Sequence, residues 1–143
     1  MDIAEEINYF YYKMALHELQ VMNEGDGYQG LSYNSILYLN VIDQIDSCTV
    51  SKLAEALSIT KSGVTLKINE LVRQGAVIKT QSEKDRRVYF LALSPEMKQT
   101  IALYDDVLRK IERKLKSAYS AQELALFGEI LHTISGYEWG KLS

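Results

Sequence analysis

The sequence predicts a mainly α fold with a small β-hairpin wing (α+β), a winged helix-turn-helix flanked by N- and C-terminal helices. Three observations predict it. Two short helical patterns stand close together at residues 49–57 and 61–74, the second stopped by Gly75. Two β-prone runs follow at residues 77–81 and 88–93, around the charged tip Ser82-Glu83-Lys84-Asp85-Arg86-Arg87. Longer amphipathic patterns lie on both sides, and helix, turn, helix, hairpin is an order that fits duplex DNA.

Each element has a local cause. Residues 2–23 place Ile3, Ile7, Phe10, Met14 and Val21 on one stripe and Tyr9, Tyr12, Leu16 and Leu19 on the next, an apolar face wide enough to be covered on more than one side. The three glycines of residues 24–30 mark a loop, and Ser32 caps a helix running to about Ile45, with a break over residues 43–47. Ser58-Ile59-Thr60 is a tight turn between the two short helices. Ser94-Pro95-Glu96 combines a hydroxyl cap, a proline in the first helical position and an acid in the first turn. The helix it opens repeats Met97, Ile101, Tyr104, Leu108, Ile111, Leu115 and Ala118 at alternating spacings of four and three, the seam of a coiled-coil-like pairing. Ser120 and Glu123 form a capping-box pattern before a last helix with Leu124, Phe127, Leu131 and Ile134 on one face. These flanking helices carry more apolar surface than the small head can cover, which points to a second copy of the chain. The division expected is a helical dimerisation region over residues 1–31 and 94–143, with the winged helix over 32–93.

A chain of 143 residues with 47% apolar content suits one compact domain or two small lobes. No apolar run approaches the roughly 20 residues needed to cross a bilayer, so no membrane partner and a cytoplasmic address are expected. A single cysteine, Cys48, leaves no internal disulfide framework and no thiolate metal cage. The formal net charge of −3 would repel phosphate if it were spread evenly. It is not: residues 1–50 are net −7, residues 94–143 are neutral, and residues 51–93 are net +4, through Lys52, Lys61, Lys67, Arg73, Lys79, Lys84, Arg86 and Arg87. Positive charge is concentrated in the segment shaped to meet a duplex.

On a wheel of the second short helix, Val64, Ile68, Leu71 and Val72 share one face and Ser62, Thr65, Leu66, Asn69 and Arg73 the other. Hydroxyls and Asn hydrogen-bond base edges, an exposed Leu meets a thymine methyl, and Arg or Lys61 suits guanine or phosphate. Any solvated helix face is polar, however, and the wing is what favours the reading face. Its cations Lys84, Arg86 and Arg87 suit a narrow minor groove, with Asp85 holding Arg87 at a fixed angle. A solvated turn with no partner would carry the same residues.

Leu53-Ala54, the helix ending Leu71-Val72-Arg73-Gln74-Gly75, the run Lys84-Asp85-Arg86-Arg87, and Leu93-Ser94 together resemble the MarR family of bacterial transcription regulators. The resemblance covers nearly the whole chain. It implies a two-fold homodimer with interlocking terminal helices, the helix from Lys61 in the major groove, and Arg87, steadied by Asp85, in the minor groove. It implies a regulator, a repressor by preference, on a pseudo-palindromic operator, and a small aromatic effector near Tyr12, Tyr33 and Tyr38. Aromatics at helical spacing are otherwise core. Three positions depart from the family pattern: Gly63 for Ser or Thr, Leu66 for a basic residue, and Met97 for the glycine after the wing.

No enzyme and no cofactor are expected. With only His17 and His132 there is no Ser-His-Asp order, phosphate loop or dinucleotide fingerprint. Glu129 and His132 have the Glu-x-x-His spacing of carboxylate di-iron bundles, but Met14 stands three places before His17, so the second motif fails. Cys48 has no cation within three residues and Asp46 nearby, which gives a thiolate no support. The alternative reading is a winged-helix module that docks a partner protein without sequence-specific DNA binding.

Overall fold

The computed structural model describes residues 1–24 and 27–138. Gly25 and Asp26 of the predicted loop, the side chains of Tyr28 and Tyr104, and residues 139–143 lie outside the described residues. Two compact units divide the chain, Met1–Thr100 and Ile101–Ser143.

The first unit holds α1 (Ile3–Met22), a 3-10 turn (Gly27–Gly30), α2 (Tyr33–Gln44), α3 (Val50–Leu57), α4 (Lys61–Arg73), β1 (Val77–Gln81), β2 (Tyr89–Leu93) and the start of α5 (Pro95–Ala118). Its helices begin where short polar side chains take up orphaned amides. Asp2 and Glu5 make a reciprocal capping box on α1. Ser32, Thr49 and Thr60 accept the amides of Ser35, Lys52 and Gly63, and Ser94 accepts that of Met97. Ser58 closes α3 in the left-handed region at φ 55°, where its amide and that of Ile59 return to Glu55 and Ala54. Gly75, at φ +75°, does the same job after α4, a conformation that other residues adopt only with strain.

The core of this unit is formed by Ile36, Leu39 and Ile42 from α2, Leu53 from α3, Val64, Ile68 and Leu71 from α4, Leu91 and Leu93 from β2, and Met97, all at most 4% exposed. Met97 therefore fills the head's interior, which accounts for a large apolar side chain where the family pattern has glycine. β1 and β2 pair antiparallel with Val77 opposite Leu93 and Gln81 opposite Tyr89. Val88, expected to open the second strand, belongs to the tip instead: its carbonyl accepts from Ser82 and its amide donates to Asp85. A third segment is pinned to this ribbon, because the Leu91 amide donates to the Cys48 carbonyl at 2.8 Å and Thr49 bridges to Phe90. α1 has no buried residue, and Ile3, Ile7, Phe10 and Met14 of its apolar stripe are exposed.

The second unit contains the remainder of α5 and α6 (Ala121–Ser135). α6 also has no buried residue, while Leu108 and Ile111 of the α5 seam and Phe127 and Leu131 of the α6 face are exposed. At the α6 cap Ser120 accepts the Glu123 amide as expected, but its hydroxyl donates to the Glu123 carboxylate. The half of the reciprocal box that is present is therefore the serine's, since the carboxylate bonds the Ser120 hydroxyl rather than its amide. On α5, Glu112 lies between Arg109 at 3.0 Å and Lys116 at 2.9 Å.

Candidate nucleic-acid interface

α4 presents two faces that follow from its period. At roughly 100° per residue, Val64, Ile68 and Leu71 cluster on one side, and all three are 0% exposed. Ser62, Leu66, Asn69 and Arg73 form the opposite stripe, and all four are exposed, as are Lys61 and Thr65. Val72 corrects the sequence reading: it is exposed rather than anchored, because its direction is about 75° from the centre of the buried cluster. The Thr65 hydroxyl donates to the Lys61 carbonyl at 2.8 Å.

Lys67 behaves unlike the other cations of α4. Its side chain points back to the head, where its ammonium lies 5.9 Å from the centre of the Tyr38 ring on α2 and 3.4 Å from Glu70. That contact ties the rotation of α4 to α2. Lys52 and Lys79 are also drawn in, Lys52 by the Asp46 carbonyl at 3.0 Å and Lys79 by the Tyr89 ring at 4.9 Å. Lys61, Arg73, Lys84 and Arg86 make no ion pair among the described residues. The eight cations counted in the sequence are therefore not equivalent.

The wing tip is built by a nested set of hydrogen bonds. Asp85 accepts the Arg87 amide at 3.0 Å and grips the Arg87 guanidinium through Nε at 3.0 Å and Nη2 at 3.1 Å. The Arg87 side chain nonetheless stays 90% exposed. A two-pronged pair of this kind fixes a direction for the guanidinium while leaving its other edge open. Arg87 also holds the Asp85 carboxyl below its ordinary range. Beneath the pair, the Gln81 side chain donates to the Arg86 carbonyl at 2.8 Å, and Ser82 accepts the Asp85 amide at 3.3 Å. Gln81 and Ser82 were not among the predicted site residues; the signal for Ser82 was a hydroxyl three places before Asp85, a local turn pattern.

The three tyrosines expected at an effector site have three separate partners. Tyr12 pairs with Tyr9 on α1, ring centroids 6.2 Å apart, and Tyr38 meets Lys67. The Tyr33 hydroxyl donates to Glu18, which raises its pKa. An open cavity of about 350 Å³ in this unit is lined instead by Ile42, Asp46, Cys48, Leu91, Leu93 and Lys98, among others. Cys48 is buried, its thiol faces the Thr49 carbonyl, and burial pushes its pKa up. No group of three or more metal-ligating side chains occurs among the described residues, and no helix of theirs is long and apolar enough to cross a membrane.

With this geometry in place, the family model described as "MarR family" matches residues 31–89, from the foot of α2 to the start of β2. Over residues 31–89 the chain is similar to the MarR family. That family comprises transcriptional regulators rather than enzymes. The HTH-type transcriptional repressor MdtR of Bacillus subtilis (strain 168) is 28% identical over 95 residues, which are 66% of this chain and 59% of that protein. The match therefore spans less than two thirds of its length. Among solved structures, FabT of Streptococcus pneumoniae in complex with DNA superposes with a TM-score of 0.71 at 23% identity, over 93% of this chain and 92% of that one. The adhesin competence repressor AdcR of Streptococcus pyogenes gives 0.62 at 22% identity, over 94% and 96%. These likenesses show a shared fold over nearly the whole chain.

Proposed function

We propose that the chain is a homodimeric transcriptional repressor that binds a pseudo-palindromic operator. The observation that carries this reading is the outward stripe Ser62, Leu66, Asn69 and Arg73 on a helix anchored by Val64, Ile68 and Leu71, beside a wing whose Arg87 is held in a fixed direction by Asp85. In this reading α4 lies in the major groove, with Lys61, Ser62, Thr65, Leu66, Asn69 and Arg73 toward the DNA. The wing delivers Lys84, Arg86 and Arg87 to the minor groove, Asp85 serving as their brace. Residues 32–93 bind DNA, and residues 1–31 and 94–143 hold the dimer together. The uncovered apolar faces of α1, α5 and α6 support that assignment, since surface of this extent on a lone chain marks an association site. Two-fold pairing then sets the two α4 helices about one turn of DNA apart.

Titration of the upstream DNA of its own coding sequence against the full chain, read by fluorescence anisotropy at several salt concentrations, tests the reading. A site-specific complex whose affinity falls steeply with salt is expected, because each phosphate contact contributes about 0.9 to the slope. Arg87→Ala should weaken binding to every sequence. Undiminished operator affinity in that variant would remove the wing from the interface, and absence of any sequence-specific complex would leave the protein-docking reading. Relief by a small aromatic effector belongs to the same reading, with Tyr12, Tyr33 and Tyr38 as its candidate contacts. A flat response of the complex to a panel of phenolic compounds would remove it.

A further inference from the structure

We propose that the middle of α4 reads a thymine in each half-site through the base's C5-methyl group, with Leu66 as the contacting side chain. The inference rests on the DNA-binding reading above and narrows what that surface recognises.

Leu66 is 73% exposed, against 44% or less for every other exposed large apolar side chain between residues 32 and 93. Scattered surface leucines are ordinary; what sets this one apart is its direction. On a helical wheel at roughly 100° per residue it lies within roughly 15° of diametrically opposite the buried cluster of Val64, Ile68 and Leu71, so a helix lowered into a groove with its anchored face away presents Leu66 at the middle of its leading edge. The turn before it is slim. Gly63 is exposed and has no side chain, and a Cβ placed there would meet only the Thr60 hydroxyl oxygen, at 3.3 Å. The helix backbone can therefore sit close to the base edges and bring Leu66 within contact distance of them.

The neighbouring chemistry points the same way. The Thr65 hydroxyl gives its one hydrogen to the Lys61 carbonyl, so toward DNA it is an acceptor. Ser62 and Asn69, one turn to either side of Leu66, are left as the uncharged donors of the stripe. In the major groove only thymine offers an apolar group, the C5-methyl, while Asn pairs two-pronged with adenine. A polar base edge beneath Leu66 would lose its water without gaining a hydrogen bond. Lys61 and Arg73 stand at the two ends of the helix without ion pairs among the described residues, as suits phosphate contacts that seat its middle.

Selection of duplexes from a random pool by the full chain, followed by exchange of each half-site thymine for deoxyuridine, isolates the methyl group without altering any hydrogen bond. At one position the exchange should weaken binding roughly fourfold per half-site, the factor for one buried methyl-sized group, and roughly fifteenfold when made in both. Leu66→Ala should bind the thymine operator about as weakly as the unaltered chain binds the deoxyuridine one, and should be indifferent to the exchange at that position. Asn69→Ala should keep the sensitivity. Indifference of the unaltered chain to every exchange overturns the inference, as does full sensitivity in Leu66→Ala, and in either case the DNA-binding reading stands. Failure to select any duplex overturns that reading and this inference with it.

Discussion

Two residues one half-turn apart on α4, Leu66 and Ile68, should respond in opposite ways to truncation. Ile68 is 0% exposed, so Ile68→Ala removes three carbons from the interior of the head. At about 0.8 kcal/mol per buried methylene the transfer loss is about 2.4 kcal/mol. A partly collapsed void of about 50 Å³ would add about 1.2 kcal/mol, for a total near 3.5 kcal/mol. Leu66→Ala removes an exposed side chain in favour of the best helix former and should stay within about 0.5 kcal/mol of the unaltered chain. Urea denaturation followed by circular dichroism, at one fixed protomer concentration because association couples to stability, measures both. With a slope of about 2 kcal/mol per molar, Ile68→Ala should lower the midpoint by more than about 1.5 M at an unchanged slope. Equal losses in the two variants, or a loss below about 1 kcal/mol for Ile68→Ala, would refute the assignment of faces on which the proposed DNA interface rests.

Lys67→Ala should cost about 0.5–1 kcal/mol by removing the ammonium from the Tyr38 ring, and Tyr38→Leu in the Lys67→Ala background should cost less than in the unaltered chain; additive losses in the denaturation cycle would remove the coupling. The Asp85 carboxyl has a depressed pKa in the folded wing, so its contribution is present above the ordinary carboxylate range and lost as pH falls through the folded value. A carbon-detected NMR titration should show Asp85 changing charge at lower pH than in Arg87→Ala, and coincident curves would contradict the pairing. Burial raises the Cys48 pKa, so its thiol should react with a disulfide reagent far more slowly in the folded chain than in urea; equal rates would show that the site is open.

The parts of this fold that were legible in the sequence are those with local causes. The caps Ser32, Ser94 and Ser120, together with Pro95 and Gly75, placed the helix ends to within a residue or two, and the alternation of Val64, Ile68 and Leu71 with polar neighbours gave the anchored side of α4. The Asp85–Arg87 pair was legible because both partners lie two places apart in one turn. What escaped was set by packing between distant segments. The bond from Leu91 to Cys48 joins residues with no shared pattern, and Lys67 counts as a basic residue in any tally although Tyr38 draws it inward. Val72 missed the core by a fraction of a turn. The tyrosines of α1 and α2 read alike as a group, whereas Glu18, Tyr9 and Lys67 give Tyr33, Tyr12 and Tyr38 different surroundings.

The clamp from Leu91 to Cys48 fastens the root of the ribbon to the loop before α3, while positions 62, 66, 69, 84 and 86 contribute nothing to the interior. The proposed grip and the scaffold are thus carried by different side chains. Randomising those five positions together would yield a library in which most members still fold, so the binding preference proposed for this head could drift or be re-engineered with little thermodynamic penalty.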